Sequence, residues 1–200
     1  MLDRFYLIVD STDWLRRLLP CGARLVQLRI KDAPESRLRA EIAAAKALCA
    51  AAGAQLVVND YWRLAIDAGC DFIHLGQEDL DDADLPAIRR AGLKLGVSTH
   101  DGAELDRALS VDPDYVALGP VYPTTLKQLT VAPQGVEPVR RWRKALGARP
   151  LVAIGGITLE RAPDVLAAGA DSIALSTDVL GAPDPEGRAR QWVAATRRAA

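Results

Sequence analysis

Residues 68–75 read Ala-Gly-Cys-Asp-Phe-Ile-His-Leu, and residues 168–175 read Ala-Gly-Ala-Asp-Ser-Ile-Ala-Leu. In each stretch a glycine stands where a helix should end and a short apolar run follows, which is typical of a turn from a helix into a buried strand. The two stretches lie 100 residues apart, so one half of the chain echoes the other. This repeat favours a fold built from recurring helix–strand units.

Eight short apolar runs rich in Val, Ile and Leu recur along the chain, and their continuous rather than alternating pattern predicts strands covered on both faces. They are Phe5–Val9, Leu25–Ile30, Leu56–Val58, Phe72–Leu75, Leu93–Val97, Tyr115–Leu118, Leu151–Ile154 and Ile173–Leu175. Helical spacing is found between them at Glu35–Ala52, Asp84–Ala91, Gly102–Ser110, Val136–Leu146, Leu159–Ala168 and Glu186–Ala199. Helices should begin near Asp13, Asp60, Asp82 and Asp101, and end at Gly53, Gly69, Gly92, Gly147 and Gly169.

Eight strand–helix units in 200 residues leave about 25 residues for each unit. This spacing fits a compact (β/α)8 TIM barrel, at the short end of the usual range for that fold. The competing α/β architecture is an open doubly wound sheet, which would usually carry a glycine-rich turn after its first strand. The residues after that strand, Asp10-Ser11-Thr12, include no glycine. With no linker or composition break, we expect one TIM-barrel catalytic domain over residues 1–200.

The charge balance and the number and spacing of the cysteines exclude several classes of function. The 25 Lys and Arg residues nearly balance the 26 Asp and Glu residues, giving a net charge of −1. Such a chain has no net field to hold nucleic acid or an anionic membrane surface, so we expect neither as a partner. The three cysteines, Cys21, Cys49 and Cys70, are odd in number and form no CxxC motif, which predicts reduced, buried thiols. The absence of a signal-peptide pattern and of a long apolar run indicates a cytoplasmic protein.

In TIM barrels the loops after the strands build the active site. The polar residues at these points form seven clusters: Gln27–Lys31, Asn59-Asp60, Gly76–Asp79, Ser98–His100, Gly119–Lys127, Gly155-Gly156 and Ser176–Asp178. Gly155-Gly156 and the Ser176-Thr177 pair follow the seventh and eighth strands, where backbone N–H groups and a short helix start commonly hold a phosphate. The alternative for the glycine pair is that it relieves crowding at a tight turn.

Asp60 and Asp79 follow neighbouring predicted strands and could converge on one Mg²⁺, which is typically held by one or two carboxylates together with water and phosphate oxygens. Asp60 could instead cap the helix that begins near Tyr61. Arg29, Lys31 and Lys127 could neutralise a diphosphate, although each alone could be a solvated surface charge.

The chain has two histidines, which excludes a histidine-rich metal site. His74 alternates with Phe72 within a strand, which indicates a packed residue with one satisfied ring nitrogen. His100 follows the next strand and stays open as a proton carrier.

The set of motifs resembles the thiamine-phosphate synthase family over nearly the whole chain. The stretches that carry the resemblance are Tyr6–Asp10, Gln27–Lys31, Asn59–Ile66, His74–Asp79, Gly96–His100, Gly119–Lys127, Ala132–Gly135 and Ala153–Ile157. The family members are Mg²⁺-dependent barrel transferases that join hydroxymethylpyrimidine diphosphate to hydroxyethylthiazole phosphate. Thiamine phosphate and diphosphate are the products.

The resemblance also implies roles for individual residues. It assigns the pyrimidine-diphosphate site to Gln27, Arg29, Lys31, Asn59, Ser98 and Lys127, of which Lys31, Ser98 and Lys127 are the catalytic candidates. It assigns Mg²⁺ to Asp60 and Asp79, and the thiazole phosphate to Thr124, Thr125, Gly156, Ser176 and Thr177. The family further suggests a homodimer, for which no stretch of the sequence identifies an interface.

Two departures from the family pattern affect these expectations. Leu126 replaces the second threonine of the usual Pro-Thr-x-Thr-Lys loop, so one hydroxyl contact is missing or moved to Thr125. The end of the eighth strand reads Ser176-Thr177-Asp178-Val179 instead of the usual Val-Ser-Ala/Asp-Ile, a change that backbone contacts would survive.

Two other functions stay open at this point. A thiazole tautomerase of the related branch would need His100 and a phosphate site but no metal, and Asp79 in an intact Gly-Gln-Glu-Asp run counts against it. A non-catalytic phosphate-binding protein is favoured only by Leu126.

Overall fold

Eight parallel strands close into a barrel in which each strand pairs with its sequence neighbours and β8 pairs back onto β1. The structure is a computed structural model that describes residues 1–123 and 135–197. The strands are β1 Phe5–Val9, β2 Leu25–Leu28, β3 Gln55–Asn59, β4 Phe72–Leu75, β5 Lys94–Thr99, β6 Tyr115–Leu118, β7 Leu151–Ile154 and β8 Ser172–Leu175. The predicted TIM barrel is thus confirmed.

Helices connect the strands and cover the outside of the barrel. They are α1 Thr12–Leu18, α2 Glu35–Ala52, α3 Trp62–Asp67, α4 Asp79–Asp82, α5 Leu85–Arg90, α6 Gly102–Ser110, α7 Glu137–Leu146, α8 Ala162–Ala167, α9 Thr177–Leu180 and α10 Pro185–Thr196. A short 3₁₀ turn at Leu19–Cys21 follows α1. The predicted bounds of α2 and α6 are confirmed.

The helix starts agree only in part with the aspartates chosen from the sequence. Asp101 caps α6, because its carboxylate accepts the Glu104 N–H at 2.9 Å. The prediction for Asp82 was wrong: Asp84 caps α5 by accepting the Ala87 N–H at 2.8 Å, while Asp82 is the last residue of α4. Asp60 stands two residues before Trp62, the first residue of α3, and Tyr61 between them takes the capping position.

Two apolar clusters fill the molecule, one on each face of the sheet. The larger lies between the strands and the helices, as the continuous apolar runs require. The smaller contains side chains from the inner faces of the strands: Tyr6, Leu25, Val57, Phe72, Tyr115, Ala117, Val152 and Ala174. The barrel interior is therefore packed with apolar side chains. Polar residues on this inner wall lie nearer to the carboxyl ends of the strands.

The three cysteines are free and buried, as expected. Within the described part of the chain, no helix has both the length and the apolar character needed to cross a membrane.

Candidate active site

Four polar side chains reach the inner wall of the barrel near the ends of four consecutive strands. Gln27, Asn59 and His74 are buried on β2, β3 and β4, and half-buried Ser98 lies on β5. Each of the four residues lies two positions after another inward-facing residue of its strand. Alternate residues of a strand share one face, so these four side chains also face inward. The predicted mouth residues of these strands are thereby brought to one side of the barrel.

Hydrogen bonds join two of these residues to tyrosines in the interior. The Gln27 amide nitrogen Nε2 donates to the Tyr6 hydroxyl at 2.9 Å, and the Tyr6 and Tyr115 hydroxyls are 3.0 Å apart. His74 Nδ1 lies 2.7 Å from the Tyr115 hydroxyl, and His74 Nε2 lies 2.8 Å from Ser98 Oγ. His74 is packed as predicted, but both ring nitrogens have hydrogen-bond partners where one was expected.

Asp60 occupies an unusual backbone conformation directly after β3. Its φ is +64°, in the left-handed region that costs a non-glycine residue on the order of 1 kcal/mol or more. The Asp60 N–H donates to the His74 carbonyl at 2.9 Å, and the Trp62 N–H donates to the Asp60 carbonyl at 2.8 Å. The neighbouring β4 and the start of α3 therefore hold this residue in place. The Asp60 side chain does not cap α3, so the capping alternative is not supported.

The carboxyl groups of Asp60 and Asp79 come together between β3 and β4. The pKa of Asp60 is raised to about 6, first by burial and then by the charge of, and a hydrogen bond with, Asp79. The positive charges of Lys31 and Arg29 lower that pKa in opposition. Asp79 Oδ2 also accepts the Gly76 N–H at 2.9 Å, which fixes its carboxylate at the first turn of α4. Two carboxylates and two cations thus share one corner of the mouth.

This carboxylate pair fits a magnesium ion. Among residues 1–123 and 135–197, no group of three or more His, Cys, Asp or Glu side chains forms a metal-binding cluster. A pair without a full protein cage is the arrangement that Mg²⁺ commonly uses, since the ion keeps several waters and takes substrate phosphate oxygens. A cation between Asp60 and Asp79 would also remove the repulsion that raises the pKa of Asp60.

The loop after β7 approaches the loop after β6 so closely that side chains are excluded. A Cβ atom on Gly155 would collide with Pro120, and one on Gly156 would collide with the carbonyl oxygens of Tyr122 and Pro123. Both glycines have positive φ angles, of 98° and 61°. The two glycines therefore do relieve crowding at this turn, which was the alternative to a phosphate site. This does not exclude a phosphate, because the same lack of side chains leaves backbone groups accessible to a ligand.

The short helix α9 places Ser176 and Thr177 at the end of β8, and an arginine anchors it. Arg188, from α10, donates to both Asp178 carboxylate oxygens, at 2.9 and 3.0 Å. The Nη2 atom that donates to Asp178 Oδ1 also donates to Glu160, in the loop between β7 and α8, at 3.1 Å. One guanidinium thus joins the two loops of the predicted phosphate site. This arginine was not predicted from the sequence.

His100 is held at the start of α6. Its backbone N–H and its ring Nδ1 both lie 2.7 Å from Glu104 Oε2. A role in proton transfer stays a prediction. Thr124, Thr125, Leu126 and Lys127 lie outside the described residues, so their predicted contacts also stay predictions.

A cavity of about 760 Å³ opens at the opposite end of the barrel, where the strands begin. Arg4, Arg24, Lys94 and Asp114 are among the residues that line it. Catalytic residues of TIM barrels lie at the ends of the strands, and this cavity shares no residue with the clusters there. We therefore take the carboxyl-terminal mouth as the candidate active site.

Comparisons with known proteins identify the family of this chain. The family model described as thiamine monophosphate synthase matches residues 5–179. A thiamine-phosphate synthase of Rhizobium etli is 69% identical over 195 residues, covering 98% of this chain and 96% of that protein. One of Cronobacter sakazakii is 53% identical, with 96% and 89% covered. A solved structure of thiamine phosphate pyrophosphorylase from Pyrococcus furiosus superposes with a TM-score of 0.86 at 29% identity, with 96% and 95% covered. On these grounds, the chain belongs to the thiamine monophosphate synthase family.

Proposed function

We propose that this protein is a thiamine-phosphate synthase, which condenses hydroxymethylpyrimidine diphosphate with hydroxyethylthiazole phosphate to give thiamine phosphate and diphosphate. The observation that carries the proposal is the pairing of Asp60 and Asp79 in the field of Arg29 and Lys31. A corner with two carboxylates and two cations is suited to a diphosphate leaving group accompanied by a divalent metal.

In this reaction the bond between the pyrimidine methylene carbon and the diphosphate oxygen breaks, and the oxygen keeps the electron pair. The thiazole nitrogen then forms the new bond to that carbon, so no protein nucleophile is needed. Arg29, Lys31 and Lys127 stabilise the negative charge that grows on the departing diphosphate.

Asp60 and Asp79 would hold Mg²⁺, which when bound supplies Lewis-acid stabilisation to the diphosphate oxygens. The strained backbone of Asp60 and the Gly76 N–H on Asp79 preorganise the two carboxylates for this task. Holding them in place costs no rearrangement when the substrate arrives.

The pyrimidine ring lies against the inward-facing polar groups of β2, β3 and β5. Gln27, Asn59 and Ser98 offer amide and hydroxyl groups to its ring nitrogens and amino group. Buried hydrogen-bonding groups of this kind discriminate strongly, because a wrong ring would leave them without partners.

The thiazole phosphate binds on the other side of the mouth, at the loops after β7 and β8. Gly156 and the backbone of Ser176 and Thr177 contact its phosphate, with Thr124 and Thr125 completing the site. The phosphate serves as a handle that positions the thiazole nitrogen for attack.

The test is mass-resolved detection of thiamine phosphate from the two substrates, with Mg²⁺, with EDTA, and with EDTA followed by excess Mg²⁺. We expect product in the first and third reactions only. Folded protein that yields no thiamine phosphate with Mg²⁺ would overturn the proposal. Product formation that is unaffected by EDTA would overturn the metal assignment alone.

A further inference from the structure

A continuous line of hydrogen bonds crosses the interior of the barrel from β2 to β5. It runs from Gln27 through Tyr6, Tyr115 and His74 to Ser98, with successive distances of 2.9, 3.0, 2.7 and 2.8 Å. The side chains at its two ends are pyrimidine-site residues in the proposed function. The three side chains between them have no role in that proposal.

One assignment of donors and acceptors uses each hydroxyl proton once along this line. In it, the Tyr6 oxygen accepts from the Gln27 amide and the Tyr6 proton goes to the Tyr115 oxygen. The Tyr115 proton then goes to His74 Nδ1. A neutral histidine that accepts at Nδ1 carries its proton on Nε2, and it therefore donates to Ser98 Oγ. Ser98 is left with its own hydroxyl proton to offer to a ligand.

Both tyrosine hydroxyls are suited to such a neutral chain. Tyr6 and Tyr115 are fully buried, and burial raises the pKa of each well above its ordinary value. They therefore stay protonated, so each can donate one hydrogen bond while it accepts another.

A glycine makes room for the line of bonds. His74, Gly96 and Tyr115 stand side by side on β4, β5 and β6. A Cβ atom on Gly96 would overlap the Tyr115 ring, which occupies the space above this residue. The Tyr115 ring thereby reaches across β5 and stacks on the His74 imidazole, with centroids 5.5 Å apart.

We propose that Tyr115 is a positioning residue that, by donating to His74 Nδ1, fixes the histidine proton on Nε2 and so sets Ser98 as a hydrogen-bond donor to the pyrimidine substrate. This proposal rests on the proposed function for the identity of the substrate. The direction of the hydrogen bonds is a property of the protein alone, so it can be tested even if the proposed reaction fails.

The first experiment is ¹⁵N NMR of protein labelled at histidine, recorded without substrates at pH 8.5, about two units above the ordinary pKa of histidine. The chain has two histidines, so a His100→Gln sample assigns both sets of ring signals. We expect wild-type His74 to carry its proton on Nε2. A proton on Nδ1 would reverse the whole line, make Ser98 the donor to His74, and overturn the proposal.

Tyr115→Phe keeps the ring and removes only the hydroxyl. We expect the His74 signals to shift toward a mixture of tautomers, because Nδ1 loses its donor. In kinetics we expect kcat/KM for the pyrimidine diphosphate to fall about tenfold, with the KM for the thiazole phosphate within twofold of wild type. Unchanged His74 signals, or an equal rise in both KM values, would overturn the role of Tyr115.

Ser172→Ala is the matched control. Ser172 is also fully buried in the barrel, and its hydroxyl donates to the Asp3 carbonyl at 2.7 Å, away from the line of bonds. We expect it to lower Tm while leaving the His74 signals and the KM for the pyrimidine diphosphate unchanged. If it shifts them as Tyr115→Phe does, the effect of Tyr115 is general destabilisation and the proposal fails. Should Tyr115→Phe not fold, the wild-type spectrum and Tyr6→Phe decide: in Tyr6→Phe, His74 should keep its Nε2 proton, because Tyr115 still donates to it.

Discussion

The units that end in β4 and β8 are 100 residues apart in sequence and have the same backbone design. Their helices span Trp62–Asp67 and Ala162–Ala167, and their strands end at Leu75 and Leu175. Gly69 and Gly169 both adopt positive φ, and each donates its N–H to a carbonyl three residues earlier. In a closed ring of eight strands, units four apart lie on opposite sides of the barrel.

The same frame carries different chemistry on the two sides. The inward-facing residue is His74 in β4 and Ala174 in β8. After the strand, the first unit supplies the Asp79 carboxylate, while the second supplies the start of α9 at Ser176 and Thr177. In the proposed function, one side therefore relies on side chains and the other on backbone groups. The comparison shows that the repeat determines the helix-to-strand turn, while the residues on the inner wall and at the mouth determine the chemistry.

The largest effect is expected at Asp60 and Asp79, on the side of the site that acts through side chains, here called the side-chain half. Asp79→Ala should lower kcat at least about a hundredfold and weaken the dependence on Mg²⁺, since loss of even an outer partner of a metal ligand typically costs 10–100-fold. Asp60→Ala should behave in the same way. Steady-state rates over a Mg²⁺ titration provide the measurement. Asp82→Ala removes an exposed carboxylate of the same helix α4 and is the control, expected to stay near wild type. Near-normal rates in both site variants would refute the metal assignment.

The next largest effect is expected at the loops after β7 and β8, on the side of the site that acts through backbone groups, here called the backbone half. Gly156→Ala should raise the KM for the thiazole phosphate about tenfold or more, because the new Cβ displaces the loop after β6 and an L-residue at φ 61° costs roughly 1–2 kcal/mol. Tm should fall by about 2–4 °C for each kcal/mol lost in a domain of this size. The control is Gly102→Ala, where a Cβ meets nothing within 4 Å. If the KM for the pyrimidine diphosphate rises as much, the two halves are not separable.

Much of this frame could be predicted from the sequence. Continuous apolar runs and helix-end glycines are local features, so they identify the eight strands. Polar strand ends were missed: β3 extends to Asn59 and β5 to Thr99, because these residues pair in the sheet despite their low hydropathy. Proximity of Asp60 and Asp79 was also predictable, since consecutive strands are neighbours in a parallel barrel.

The contacts across the interior could not be predicted in this way. Tyr6 and Tyr115 lie on β1 and β6, which are not neighbours in the barrel, and their meeting depends on ring geometry and on the space above Gly96. Arg188 likewise reaches two loops from a helix near the end of the chain. A sequence pattern indicates which face of a helix or strand is buried. It does not indicate which distant side chains the polar groups of that element contact.

A smaller effect is expected when the anchor of the backbone half is loosened. Arg188→Gln removes the charged bonds to Asp178 and Glu160, so the loops after β7 and β8 lose their common tie. The KM for the thiazole phosphate should rise about threefold to tenfold, while the KM for the pyrimidine diphosphate stays unchanged. Arg17→Gln breaks the more exposed pair with Glu186 and is the matched control. Exposed ion pairs contribute little, so it should leave both KM values at wild type.

The smallest effect is expected from the side chains of the backbone half. Thr177→Ala should change the KM for the thiazole phosphate by no more than about twofold, because the N–H groups at the start of α9 remain and the Thr177 side chain is exposed. Combined with Arg188→Gln, it should add little beyond the arginine effect, since in the proposed function the helix start and not the hydroxyl contacts the phosphate. A rise of tenfold or more in Thr177→Ala alone would mean that the hydroxyl binds the phosphate. The two repeated units would then both act through side chains, and the contrast between them would lie only in which side chains they use.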